Sequence, residues 1–152
     1  MLGMTFGLPA VAFEAPGERL AAQRLHLPLP PSDPLSPSGL PSTPVTHVYH
    51  NSDPIPQGVC TGWGSPCASA GFALETHCHL GKTIVFDTVN KLGWGVDVRK
   101  HPIREVILNV LEHELETGDG WEVDDDGNMR EVPVARYEED CVVSCSHSMN
   151  WD

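Results

Sequence analysis

Two residues far apart in the chain carry the clearest chemistry. Asp53 closes the segment His47-Val-Tyr-His-Asn-Ser-Asp53 and is followed by Pro54 and Pro56. Val45, Val48 and Tyr49 favour a strand. Each proline lacks a backbone donor and fixes φ, so the strand must end there. An acid delivered in this way onto a stiff turn can accept the Nδ1 proton of an imidazole, fix its tautomer and stabilise the imidazolium. His101 is the imidazole that could meet it. Pro102 disfavours the α region for the residue before it, which sets His101 at or just ahead of a helix start. There the helix dipole favours the neutral ring that a general base requires. Taken singly, Asp53 reads as an Asp-Pro loop starter and His101 as a surface or capping histidine. Their order, acid before base, is what links them.

No Gly-x-Ser-x-Gly is present to supply the nucleophile. Ser69 is a decoy: Cys67 stands where the first Gly of the elbow belongs, and the serine follows Asp53 instead of preceding it. His77-Cys78-His79 invites a metal reading. On a strand, however, neighbours point to opposite faces and only His77 and His79 could share a ligand set. A disulfide at Cys78 is the simpler expectation, as is Cys141–Cys145 pairing over a metal site. His113-Glu-Leu-Glu-Thr117 begins like a zinc-protease helix but has Thr117 where a second His is needed. No metal and no cofactor are expected.

The elements that must hold these groups read as follows. Ala10-Val-Ala-Phe13 is a short buried strand, expected to be a central strand whose upstream neighbour lies outside this chain so that one edge is open, and Glu14-Ala-Pro-Gly17 a turn. Residues 18–25 can form a helix. Residues 28–44 are Pro-rich and resist helix and sheet. Val45–His50 is the acid strand, and residues 58–71 are turn-rich. Strands are expected at 83–87 and 94–98, broken by Leu92-Gly-Trp-Gly95. The best helix spans 102–115, with Pro102 at its first position and Ile103, Val106, Ile107, Val110, Leu111 and Leu115 on one apolar face. This gives a body at 1–120 and, at 121–152, an acidic, solvated tail carrying Cys141 and Cys145.

The 152 residues have a net charge of −12, and 40% are hydrophobic. A core is affordable, and nucleic acid is excluded as a partner because phosphate binding needs basic patches. No apolar run approaches the ~20 residues of a membrane span. Five cysteines are an odd number, and they suit a lumenal, disulfide-forming compartment.

Longer runs carry a resemblance. Phe6-Gly-Leu-Pro-Ala-Val-Ala-Phe-Glu-Ala-Pro-Gly-Glu18, Thr46-His-Val-Tyr-His50 with Asp53-Pro-Ile-Pro-Gln-Gly-Val-Cys60, Cys78-His-Leu-Gly-Lys-Thr-Ile-Val-Phe-Asp87, Arg99-Lys-His101 and Glu138-Glu-Asp-Cys141 together resemble the fungal autophagy-related vacuolar lipases, a branch of the class 3 lipases. The resemblance implies an α/β fold, here the C-terminal part of an α/β-hydrolase sheet with flanking helices, incomplete. It implies hydrolysis of acylglycerol or phospholipid esters by a Ser-Asp-His triad during vacuolar breakdown of autophagic and multivesicular-body vesicles. The partner would be a lipid or membrane vesicle. The location would be the vacuole lumen and the endosomal and endoplasmic reticulum membranes, reached through an N-terminal anchor outside this chain. By position Asp53 matches the acid. His101 matches the base ahead of the closing helix, and His79, in Cys-His-Leu-Gly-Lys, is the alternative base. The serine is expected upstream of Met1, which makes the chain inactive alone. A non-catalytic lipid-binding module and a disulfide-bonded interaction module are the alternatives from other classes.

Overall fold

A computed structural model describes residues 2–28, 43–58, 77–113, 120–138 and 141. The Pro-rich loop, the turn-rich segment with Cys60, Cys67 and Ser69, and Cys145 lie outside the described residues, wholly or nearly so.

Three parallel strands form the frame: β1 (Ala10–Phe13), β2 (Val45–His50) and β3 (Lys82–Phe86), in the order β1-β2-β3. Ala10 pairs with Val45, and Thr46 with Lys82. Four of the last five residues of β2 and its first residue are buried, because both faces of this middle strand are covered. Successive side chains alternate between those faces. Val45 packs with Met4, Ala22 and Leu80, beneath helices α1 (Leu2–Phe6) and α2 (Arg19–Arg24). Val48 packs on the other face with Phe86, Val110 and Trp121. The sheet is therefore a middle layer with helices on both sides, an α/β arrangement.

β1 is the edge strand among the described residues, with the expected open side, but it is not a buried strand: Val11 and Phe13 are exposed. β3 gives way at once to α3 (Thr88–Leu92), capped by Asp87, whose side chain accepts from the Asn90 amide. Gly93 ends α3 in the left-handed conformation, φ +66°. The strand expected at 94–98 is absent: the chain runs irregularly to a 3-10 turn at Val98–Lys100. Capping by Asp87 and Asp97 overrides the extended preference of Val96 and Val98.

The long helix is shorter than expected. α4 (Ile103–Val106) begins with Pro102 as its cap residue, ψ +131°, so the proline lies outside the first turn. The chain then widens into a π turn, Ile107–Leu111, closed by the Glu112 amide on the Ile107 carbonyl. That extra residue per turn breaks the 3.6 repeat. Among the described residues of the expected apolar face only Val106 and Val110 are buried, while Ile103, Ile107 and Leu111 are exposed; Leu115 lies outside the described residues.

The segment after Trp121 is not simply a solvated tail. β4 (Glu122–Val123) and β5 (Met129–Arg130) form an antiparallel hairpin, with Gly127 at φ +82° in its turn. Arg136 bridges to Thr83 through two backbone hydrogen bonds of 2.7 and 2.9 Å. Trp121 is buried edge-on to Phe86, 5.1 Å between ring centres. Cys141 is joined to Cys78, 63 residues earlier, and not to Cys145. Two cysteines four residues apart were the local option, but the fold brings the chain's end back to the head of β3.

Candidate active site

Asp53 and His101 meet. His101 Nδ1 lies 2.7 Å from Asp53 Oδ2. The acid is fully buried, whereas the imidazole side chain keeps 39% of its surface exposed. Asp53 Oδ1 accepts from the Ile55 amide at 3.0 Å, so both carboxylate oxygens are engaged. Nδ1–H donates to Asp53, which leaves Nε2 as the acceptor, and among the described residues no partner meets Nε2. A ring in this tautomer, anchored on one side and open on the other, can take a proton from a donor brought to Nε2.

The positioning is local to β2 and β3. At the end of β2 the Asp53 amide donates to the His50 carbonyl, forming the turn that turns Asp53 inward. Asn51 fastens this turn to the next strand: its amide donates to the Phe86 carbonyl, its Nδ2 to Asp87 at 2.6 Å, and its Oδ1 accepts from the Val89 amide. Gln57 donates to the Asp53 carbonyl at 3.0 Å and also to that of Asn51. The segment carrying His101 is tied to the same turn. The Asp97 amide donates to the Ser52 carbonyl at 3.0 Å. His50 Nε2 donates to the Lys100 carbonyl at 3.2 Å, and its Nδ1 sits 3.3 Å from the Thr88 hydroxyl. Burial holds His50 below the usual imidazole range, in keeping with a neutral ring that donates through Nε2. His101 itself has helical backbone angles, φ −63° and ψ −33°, despite the proline after it. The 3-10 turn before it supplies the His101 amide with the Val98 carbonyl and outweighs the steric preference.

His79 is elsewhere. Its Nδ1 lies 2.7 Å from Glu138 Oε1 and its Nε2 2.9 Å from the Ala15 carbonyl. Both nitrogens face acceptors, so the ring is built to carry a proton at each. Burial opposes that charge, but the hydrogen bond and the charge of Glu138 outweigh it and raise His79 above the usual imidazole range. In the same way burial works against Glu138, and His79 still brings it below the usual carboxylate range. Tyr49 donates to Glu138 at 3.1 Å, and burial and that carboxylate push the phenol up. The group is a clamp between β2, the head of β3 and the chain's end, adjacent to the Cys78–Cys141 bond.

Among the described residues three clusters have metal-ligating atoms within 4.8 Å of one another: Glu14, His50 and Asp53; Glu18, His47 and His79; His77, Cys78 and Cys141. In the first, His101 and Ile55 take the Asp53 oxygens, and Lys100 and Thr88 take the His50 nitrogens. In the second, both His79 nitrogens are used. In the third, the two sulfurs are bonded to each other.

Sequence reasoning singled out Asp53 and His101, which the structure brings together, but passed over Glu14, buried beside Asp53, and Glu138, part-buried against His79. Glu14 stood in a turn and Glu138 in an acidic run, where a carboxylate ordinarily faces water. The Glu138–Glu-Asp-Cys141 match within the resemblance was the one available signal. Among the described residues no helix is long and apolar enough to cross a membrane.

Comparison with known proteins gives a consistent result. Proteins named "Putative lipase ATG15" match from several fungi. The one from Mycosarcoma maydis is 52% identical over 111 residues, 73% of this chain and 22% of that protein. One from Cryptococcus neoformans is 57% identical over 111 residues, 73% of this chain and 20% of its own length. One from Saccharomyces cerevisiae is 51% identical over 113 residues, with 73% and 20% covered. No protein-family model matches, and no solved structure matches. The chain spans about a fifth of the length of the curated relatives it matches. Over that span it belongs to the fungal autophagy-related lipase family.

Proposed function

We propose that this chain supplies the acid and the base of a Ser-Asp-His ester hydrolase of the α/β-hydrolase type. The observation that carries the reading is the 2.7 Å contact between buried Asp53 and half-exposed His101, with Nε2 left open. His101 would take the proton of a serine hydroxyl as it attacks the ester carbonyl, then return it to the leaving alcohol. Asp53 holds the ring and stabilises its cationic form. His79 is a clamp residue and not the base. The relatives' name supports a lipase, and acylglycerol or phospholipid esters of vesicles delivered to the vacuole are the proposed substrates.

The serine would come from the part of the family length that these 152 residues do not span. Without it no acyl-enzyme forms. The test compares p-nitrophenyl butyrate hydrolysis by this chain and by a chain of full family length. Turnover by the longer chain alone is expected. Turnover by the 152-residue chain that His101→Ala abolishes would overturn the division of roles.

A second reading, a non-catalytic lipid-binding module, draws on the exposure of Leu2, Phe6, Leu8, Val11 and Phe13 around α1 and β1. It predicts flotation of this chain with phosphatidylcholine liposomes, and no co-flotation would reject it.

A further inference from the structure

Glu14 follows β1 directly and is one of the most deeply buried carboxyls in the described chain, 4% exposed. Its backbone is left-handed, φ +48°. A non-glycine residue seldom holds that conformation without surrounding structure to enforce it. The enforcement is visible: the Glu14 amide donates to the Val48 carbonyl at 2.9 Å, and Oε1 accepts from the His50 amide at 3.2 Å. The other oxygen, Oε2, is buried and has no donor. An ionised Glu14 would therefore hold an unsatisfied oxygen in the interior, beside the charge of Asp53, which is costly on both counts. A protonated Glu14 turns the same atom into a donor. The acceptor at hand is the Asp53 carboxylate, grouped with Glu14 and His50 within 4.8 Å.

We propose that Glu14 is a positioning residue that keeps its proton and donates it in a hydrogen bond to Asp53, so that the two carboxyls present one negative charge to His101. Asp53 would then be held from three directions, by the Ile55 amide, by Glu14 and by His101. The groups facing Glu14 are His50, with Nε2 3.9 Å from Oε1, Asp53, and more distantly Tyr49, and none of them supplies a cation that would favour ionisation. Burial first, and the hydrogen bond and charge of Asp53 next, push the Glu14 carboxyl up to about 10. As a positioning role in a hydrolase it rests on the function proposed above, whereas the shared proton itself does not.

The experiment is NMR on the 152-residue chain labelled with 13C in Glu side chains. The wild-type Glu14 carboxyl carbon is expected to keep its protonated shift from about pH 5 to pH 8. In Asp53→Asn its titration midpoint should fall by at least about one unit, because burial stays while the neighbouring charge goes. In Glu14→Gln, which retains a donor, the downfield His101 Nδ1 proton should stay in place, and in Glu14→Met it should move upfield. A Glu14 carbon that titrates near an ordinary glutamate's, or a midpoint unmoved by Asp53→Asn, overturns the proposal. The wild-type titration decides even if the Glu14 variants fail to fold. Ester turnover enters none of these readouts, so a failed lipase reading and a failed shared proton are told apart.

Discussion

At the residue scale the site depends on which nitrogen of His101 is bare. With Nδ1 donating to Asp53 at 2.7 Å, long-range 1H–15N correlation at pH 8 should show the Nδ1–H tautomer, and Asp53→Ala should abolish that preference. An Nε2–H tautomer in the wild type would leave no base at the open side. Asp53 was legible in the sequence because Pro54 and Pro56 stop its strand by local sterics alone, and His101 because it follows that acid in triad order, although the backbone preference Pro102 imposes on it is overridden. Glu14 was not legible. Its importance comes from burial and from Asp53, residues 39 positions apart brought together by the β1–β2 pairing, and a glutamate in a Pro-Gly turn otherwise reads as solvated. Its raised pKa has a stability consequence with a definite sign. Folded Glu14 keeps a proton that the unfolded chain releases above about 4.5, so its contribution is complete below that value and is lost as pH rises toward about 10. Glu14→Gln removes the dependence, and its melting temperature should fall less steeply with pH than the wild type's.

At the element scale the acid turn and the histidine turn are built separately and then joined by backbone hydrogen bonds, Asp97 to Ser52 and His50 to Lys100. The three parallel strands were readable, since each is a short apolar run bounded by turn residues. The 94–98 strand was misread because Asp87 caps a helix at 88–92 and Asp97 a 3-10 turn at 98–100, which leaves only an irregular link between them. The apolar stripe of 102–115 was overcounted because a π turn shifts its phase, which periodicity alone does not reveal. Phe86, buried between Val48, Val110 and Trp121, anchors this face. Phe86→Ala should cost about 3–5 kcal/mol in urea unfolding, and a loss under ~1 kcal/mol would contradict the packing. The Cys78–Cys141 bond closes 63 residues, and loop entropy for that length is worth ~4 kcal/mol. Cys141→Ser should approach that loss at pH 5, whereas an unchanged stability would mean the clamp around Glu138 holds without the bond.

At the scale of the whole molecule, acid favours the fold. Raised His79 contributes below about 6.5 and loses its contribution as pH rises through its folded value, and raised Glu14 runs in the same direction. Lowered Glu138 opposes only on the acid side, since its contribution is present above about 4.5 and lost below. A net charge of −12 at pH 7 adds self-repulsion as pH rises. Lowered His50 works the other way below about 6.5, where the unfolded ring takes a proton that the buried ring refuses, so the melting temperature should fall between about pH 6.5 and pH 8, by circular dichroism at constant ionic strength, and a rise over that range would contradict the pairing of His79 with Glu138. The sheet is likewise a whole-molecule matter, for among the described residues β1 offers an unpaired edge and exposed Val11 and Phe13, and the matched span is only a fifth of the relatives' length. The most direct test of the central claim uses a chain of full family length and measures short-chain ester turnover per folded molecule. Asp53→Asn and His101→Ala should each lose at least about 10³-fold in kcat, while His79→Gln keeps the chemistry. Full turnover in Asp53→Asn, or its loss in His79→Gln alone, would contradict the account.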